Sequence, residues 1–283
     1  MELYRAKFGT PERGWVVLVH GLGEHSGRYG KLIELLNGAG FGVYAFDWPG
    51  HGKSPGKRGH TSVEEAMKII DSIIEELGEK PFLFGHSLGG LTVIRYAETR
   101  PDKIMGVVAS SPALAKSPKT PSFMVALAKV LGRITPGLSL SNGLDPKLLS
   151  RNPDAVKRYI EDPLVHDRIS GKLGMSVFDN MERAHKEAER IKAPVLLLVG
   201  TADIITPPEG SRRLFEELKV KDKTIMEFKG AYHEIFEDPE WGEEFHRAIV
   251  EWLVSHSRGD LEWASAERAS SIMGDSAHHH HHH

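Results

Sequence analysis

Residues 80–97 read KPFLFGHSLGGLTVIRYA. An apolar run ends in Gly85-His86-Ser87, and a segment of helical character follows at once. Gly and Ser are common turn formers, and a G-x-S-x-G pattern arises by chance in about one chain of this length in ten at average residue usage. The context is more telling than the pattern. A serine between a buried-type strand and a helix sits on a tight turn in strained backbone, and flanking glycines let chain and helix pass without Cβ clashes. The helix N-terminus adds free N–H groups and the positive end of a dipole. The stretch therefore predicts a strand, a sharp turn carrying a nucleophile at Ser87, and a helix.

Working outward, residues 15–19 (WVVLV), 42–46, 81–85, 104–109 and 195–199 (VLLLV) are short apolar runs without period-two alternation. Such runs suit strands buried on both faces, hence a parallel sheet. Helix-like segments lie between them. Residues 28–37 end before Gly38 and Gly40, and residues 63–77 carry apolar side chains at a 3.6 period behind a capping box at Thr61/Ser62 and Glu65. Strand–helix alternation implies an α/β fold with a doubly wound, mostly parallel sheet. The alternation stops at Ser110 and resumes near Pro194. Residues 112–192 show no strong strand signal and are too long for one crossover, so they are expected to be a helical insertion. Within it, Phe123, Met124, Leu127, Val130, Leu131 and Ile134 fall on one helix face. That face fits a mobile lid, and it fits equally well packing onto the domain below. The expected organisation is a core of residues 1–111 and 193–258, an insertion at 112–192, and a tail at 259–283 ending in six histidines.

A serine hydroxyl needs a base, and the base needs an orienting acid. In a fold of this kind they follow in the order Ser, Asp, His, each just after a strand. Asp203 follows VLLLVG and His233 follows KTIMEFKG, so both order and position match. The competing residues fit less well. His86 adjoins Ser87, but neighbours on a sharp turn point apart, so it reads as structural. His166, His185, His246 and His256 read as surface or packing residues. Asp102 and Asp179 do not follow strands, and Glu234 reads as a solvated loop charge. An acyl-transfer site also needs two backbone N–H groups for the oxyanion. Leu88, directly after the serine, and Leu22, in the glycine-rich loop LVHGLGEHSGRY, are the candidates.

That loop has a rival reading. GLGEHSG after a strand approximates a dinucleotide fingerprint, with Asp47 where a ribose-binding acid belongs. The spacing is G-x-G-x-x-x-G, one residue too long, and the rival leaves Ser87, Asp203 and His233 unexplained.

Composition narrows the classes further. The chain has 283 residues, no Cys, and a formal net charge of −3. Removing the tail, with one Arg and four acids, leaves the two signs balanced, so neither nucleic acid nor a polybasic membrane patch is indicated. Absence of Cys excludes disulfides, thiolate metal sites and a cysteine nucleophile. The absence of Gln with abundant Lys, Arg and Glu is the usage expected of a thermophile's protein. No stretch has the length of a transmembrane helix and MELYRAKFGTPERG has no signal-peptide h-region, so a soluble cytoplasmic protein is expected.

The motifs HGLGEHSGRY (20–29), FDWPGHGKSPGKRGH (46–60), GHSLGG (85–90), GTADIITPP (200–208) and GAYHEIFED (230–238) together resemble the α/β-hydrolase superfamily. Within it, the chain is similar to the monoacylglycerol lipases and related lysophospholipase-like serine hydrolases, from about residue 13 to residue 256. G-x-S-x-G is shared by many esterases and peptidases; H-G-x-G-E-H-S-G-R-Y is the specific element. The resemblance implies Ser87, Asp203 and His233 as nucleophile, acid and base, and the N–H groups of Leu22 and Leu88 as oxyanion hole. It implies a helical cap between strands six and seven, and it sets Glu24, Arg28 and His51 near the pocket, with Arg28 expected to brace the loop through Glu24. The cap is the least alike region, so acyl-chain preference is not carried over. The expected activity is hydrolysis of carboxylic esters, monoacylglycerols first, through an acyl-enzyme. The alternatives on the same triad are a lysophospholipase, a general carboxylesterase, a thioesterase or a proline-type peptidase. A small lipid ester is the expected partner, with transient contact to lipid aggregates or a membrane surface. No nucleic acid, cofactor or metal is implied.

Overall fold

The structure is a computed structural model that describes residues 2–257. The expected tail and histidine tag at 259–283 lie outside the described residues. Seven strands form one sheet: β1 (Arg5–Phe8), β2 (Gly14–Val19), β3 (Phe41–Phe46), β4 (Phe82–His86), β5 (Gly106–Ser110), β8 (Val195–Gly200) and β9 (Lys223–Phe228). Their order is β1-β3-β2-β4-β5-β8-β9. All neighbours are parallel except β1, which lies antiparallel on β3 with Arg5 opposite Phe46. β1 has no counterpart among the apolar runs of the sequence, because an edge strand of alternating exposed and half-buried residues carries little apolar signal.

The parallel strands are continuous apolar runs because both faces of the sheet are covered. Val16 and Leu18 point into one core, formed with Leu32 and Leu36 of α1 (Gly30–Gly38) and Ile249 and Leu253 of α8 (Gly242–His256). Val17 and Val19 point into the other, with Ile70 and Ile73 of α2 (Val63–Leu77) and Leu91 and Ile94 of α3 (Leu88–Thr99). α2 starts and ends where its sequence signals do: Ser62 Oγ accepts the Glu65 N–H at 3.1 Å, and Gly78 closes the helix at φ 70°.

Between β5 and β8 the chain forms α4 (Ser122–Ile134), β6 (Ser139–Ser141), α5 (Pro153–Glu161), β7 (Arg168–Ser170) and α6 (Gly171–Lys186). β6 and β7 pair antiparallel within this otherwise helical region; three residues each are too few to leave a strong strand signal. Counted along this chain, the insertion separates the fifth from the sixth strand of the sheet. This is one place earlier than the resemblance numbers it, because only β1 precedes the first parallel strand. α7 (Pro208–Glu217) connects β8 to β9. Among the described residues no helix is long and apolar enough to cross a membrane.

The apolar face of α4 turns outward. Phe123 is 67% and Ile134 72% exposed, and Met124, Leu127 and Val130 are exposed with them. The helix packs on α6 through its small face instead. A Cβ at Gly132 would lie 2.4 Å from Met175 Cβ, and one at Gly171 would lie 2.7 Å from Thr135 O. The stripe therefore does not pack onto the domain below.

The junction of β4 and α3 is held by backbone contact. A Cβ at Gly85 would lie 2.1 Å from Gly89 O, and one at Gly89 would lie 2.1 Å from Val19 O and 2.6 Å from His20 O. Neither position accepts a side chain without moving a sheet strand or the helix. Gly89→Ala is expected to cost about 3 kcal/mol or more, at the upper end of overpacking in a rigid site. A urea unfolding midpoint equal to that of the parent would show that the junction yields more easily than these distances imply.

Candidate active site

Ser87 stands between β4 and α3 at φ 60° and ψ −114°, one of two non-glycine residues with positive φ among the described residues. Such backbone costs roughly 1–3 kcal/mol and persists only where the surroundings over-determine it. Here the Ser87 N–H donates to Ser110 O at 2.9 Å, and the Ser87 carbonyl accepts the N–H groups of Leu91 and Ala113.

His233, in the loop after β9, reaches Ser87 Oγ with Nε2 at 2.9 Å. Its Nδ1 lies 2.9 Å from Asp203 Oδ2, in the loop after β8. Three residues distant in sequence thus form one continuous chain of hydrogen bonds. Burial opposes the charged form of Asp203, but His233 and the Thr206 hydrogen bonds outweigh it and hold the carboxyl below its usual range. Burial likewise opposes imidazolium formation at His233, and the Asp203 charge overcomes it, so the imidazole is more basic than usual. A serine, a base raised in basicity and an ionised acid in this geometry can carry out nucleophilic acyl transfer.

Two supporting residues, Thr206 and Ser111, escaped the sequence reading, and a third, His86, is the one it took as structural. The Thr206 hydroxyl lies 2.9 Å from Asp203 Oδ2 and from Ser111 O, and 3.0 Å from His233 Nδ1. Ser111, itself at φ 43°, donates its hydroxyl to His233 O at 2.7 Å. His86 is buried under His233, with ring centroids 4.9 Å apart, and its Nδ1 meets Ser110 Oγ at 3.1 Å. Burial, with His233 beside it, pushes its pKa down to about 3, so it is a neutral packing partner of His233. The only signals for the first two were a Thr three residues after Asp203 and the last Ser of a strand end.

The glycine-rich loop lies against Ser87: a Cβ at Gly21 would be 3.2 Å from that of the serine. The N–H groups of Leu22 and Leu88 donate to no protein acceptor among the described residues. Both residues line the cavity in front of Ser87. Glu24 Oε2 accepts the Gly21 N–H at 2.6 Å and the Tyr29 hydroxyl. Arg28 Nη1 bonds Glu24 Oε1 at 2.6 Å, and its two terminal nitrogens bond both oxygens of Glu234 at 2.8 and 2.9 Å. Through Glu24, Arg28 is bonded to the glycine-rich loop. Glu234 is no solvated charge: it is 3% exposed, because the guanidinium that pairs with it is itself buried under Tyr159. Burial opposes ionisation of Glu24, and Arg28 more than compensates, holding its pKa at about 2. Glu234, the second carboxylate on the same guanidinium, is pushed up by burial and by the charge of Glu24.

The remaining candidates lie apart from Ser87. His51 is fully buried behind the glycine-rich loop, its ring 5.5 Å from His20 and 4.9 Å from His166, and burial keeps it neutral. His166 ties the insertion down, its N–H donating to Gly23 O and its Nε2 to Gly50 O. His185 bridges Glu217 and Leu114 O, His246 donates to Gly242 O, and His256 stacks on Trp252. Asp47 is 1% exposed, its oxygens accepting the N–H groups of Ser26 and Lys53, so it is out of reach of a ribose.

A cavity of ≈ 450 Å³ opens in front of Ser87. Around the serine its lining is polar, with Glu24, His233 and Glu234; the insertion contributes apolar walls, among them Leu148, Val177 and Phe178. A second cavity of ≈ 550 Å³ lies beyond Tyr29 and Phe236 against α8 and does not reach Ser87.

A family model described as serine aminopeptidase S33 matches residues 10–240. A monoacylglycerol lipase from Mycolicibacterium smegmatis is 34% identical over 254 residues, covering 87% of this chain and 90% of its own. A human monoglyceride lipase is 35% identical over 254 residues, covering 87% and 83%. Among solved structures, a soluble variant of monoglyceride lipase from Saccharomyces cerevisiae, in complex with a substrate analogue, superposes with a TM-score of 0.81. It is 23% identical, over 89% of this chain and 91% of that one.

The paired carboxylates make Arg28 the sensitive member of its network. Arg28→Met leaves Glu24 and Glu234 buried without their cation, a loss expected to cost about 3–5 kcal/mol. Glu234→Gln keeps a hydrogen-bonding partner and is expected to cost less. Thermal unfolding of the two variants ranks them, and equal midpoints would mean that water replaces the guanidinium.

Proposed function

The chain belongs to the monoacylglycerol lipase family of α/β-hydrolases, within the serine aminopeptidase S33 model, and is a serine hydrolase of carboxylic esters; from that premise we propose that it cleaves monoacylglycerols to fatty acid and glycerol. The observation that carries this reading is the two-sided lining of the Ser87 cavity. The polar end of the cavity at Ser87 and His233 suits the ester group and its glycerol head, and the apolar walls of the insertion suit an acyl chain.

In this reading Ser87 attacks the ester carbonyl while His233 Nε2 takes its proton. The oxyanion is received by the N–H groups of Leu22 and Leu88. Collapse of the tetrahedral intermediate breaks the ester C–O bond, and His233 returns the proton to the departing glycerol oxygen. Water, deprotonated by His233, then releases the acid from the acyl-enzyme. Asp203 holds the imidazole with Nδ1–H toward it and stabilises the charged form. The insertion serves as a cap whose exposed α4 stripe meets lipid aggregates, since an outward apolar face of this size marks an interaction surface.

Monoacylglycerols from short to long chain, beside a nitrophenyl ester and a lysophospholipid, test the substrate. Turnover of monoacylglycerols is expected, and its loss by a factor on the order of 10⁴ or more in Ser87→Ala. With the raised basicity of His233, kcat/KM is expected to fall as pH drops through a midpoint above the ordinary histidine value. Faster turnover of the lysophospholipid would move the assignment to that substrate, and activity confined to the nitrophenyl ester would end the lipase reading. For the cap, Phe123→Ser combined with Ile134→Ser should slow hydrolysis of aggregated substrate and leave monomeric substrate unchanged. Equal slowing of both would place the effect in the fold instead.

A further inference from the structure

We propose that Ser111 is a positioning residue for His233, its hydroxyl fixing the His233–Glu234 peptide and thereby the imidazole between Ser87 and Asp203. The inference rests on the reading of His233 as the general base.

Ser111 follows β5, is 1% exposed and does not line the Ser87 cavity. Its φ of 43° is left-handed, a conformation shared by only one other non-glycine residue among the described residues, Ser87. Glycine adopts such backbone without strain, whereas serine holds it at a cost. What glycine lacks is the hydroxyl, and this hydroxyl donates to His233 O at 2.7 Å. The rest of the residue is tied down as well. Its N–H donates to Leu198 O of β8 at 2.8 Å, and its carbonyl lies 2.9 Å from the Thr206 hydroxyl. Ser111 thus joins the ends of β5 and β8 to the loops that carry Asp203 and His233.

His233 C=O and Glu234 N–H form one planar peptide unit, trans like every other among the described residues, and they point in opposite directions. Ser111 holds the carbonyl, and Leu149 O accepts the N–H from the other side at 2.8 Å. Leu149 belongs to the insertion, and Ser111 stands directly before it. The peptide plane is gripped at both ends and is bonded straight to the His233 Cα, so it sets the point from which the ring starts. The ring has two distances to meet at once: 2.9 Å from Nε2 to Ser87 Oγ and 2.9 Å from Nδ1 to Asp203 Oδ2. A shift of the Cα disturbs both, and Ser111 therefore acts on the reaction without touching substrate.

The test measures kcat and KM on a soluble ester, the pH profile and the melting temperature for Ser111→Gly and Ser111→Ala. Both remove the hydroxyl, and glycine also relieves the strain. In each, kcat is expected to fall on the order of 10-fold with KM unchanged, within the roughly 10²-fold that a displacement of about 1 Å costs. Against burial, the Asp203 charge is what raises the basicity of His233. A loosened Nδ1–Asp203 contact gives up part of that effect, so the kcat/KM midpoint is expected to move down toward the ordinary histidine value. The two variants should share the loss of kcat and differ in melting temperature, glycine the higher; a loss that tracks melting temperature overturns the proposal. Parental kcat in Ser111→Gly overturns it too, and so does a fall in kcat with an unmoved midpoint, which places the effect in the fold at large. Should Ser111→Gly not fold, Ser111→Cys keeps the shape of the side chain with a much weaker donor. Parental kcat or an unmoved midpoint in that variant overturns the proposal, and a loss of kcat with a lowered midpoint upholds it. An active Ser87→Ala or His233→Ala would sink the underlying reading, a result distinct from any in the Ser111 series.

Discussion

The contact between the first turn of α3 and the ends of β2 and β4 leaves no room for a Cβ at Gly85 or Gly89, and the arrangement around Ser87 follows from it. The helix can begin directly behind the serine only because its backbone presses on the carbonyls of Val19 and His20. Ser87, between the strand and that helix, keeps its disfavoured backbone geometry. The same contact sets the loop after β2 beside the serine, so that Ser87 and the glycine-rich loop share one wall. The end of β5 completes the frame: Ser110 O takes the Ser87 N–H, and Ser111 holds the carbonyl of His233.

Electrostatics then join loops that the sheet only brings near one another. Arg28 binds Glu24, which anchors the glycine-rich loop, and Glu234, which neighbours His233. One guanidinium thus connects the loop after β2 to the loop after β9. Two carboxylates share one buried cation, and their ionisation is driven apart accordingly. The second buried pair, Asp203 and His233, is satisfied by Thr206 and by two backbone N–H groups. Each buried charge in front of Ser87 has its partners, as a low dielectric requires.

The insertion is governed by a different balance. α4 and α6 approach through Gly132, Gly171 and Gly174, where small residues let the backbones come close. Packing on that face leaves the larger apolar residues of α4 outside. His166 and the pair of His25 with Asp162 at 2.7 Å fasten the insertion to the glycine-rich loop, so the roof of the cavity and the site beneath it are linked.

Much of this was legible in the residue order. Apolar runs without alternation meant strands covered on both faces, and the 3.6 period behind the cap at Ser62 located α2 at residues 63–77. Strand ends located Ser87, Asp203 and His233, because a parallel sheet gathers the loops at one edge whatever their distance in sequence. What the sequence by itself determined was therefore whatever depends on local pattern and on topology. The tertiary structure alone decided the rest. Glu234 had the composition of a solvated loop charge, and only folding brought the buried Arg28 to it across 206 residues. The stripe on α4 had the period of a core helix, and only the close packing of its glycine face on α6 turned it outward. In both cases the outcome depended on which partner arrived in space, and no periodicity along one segment carries that information.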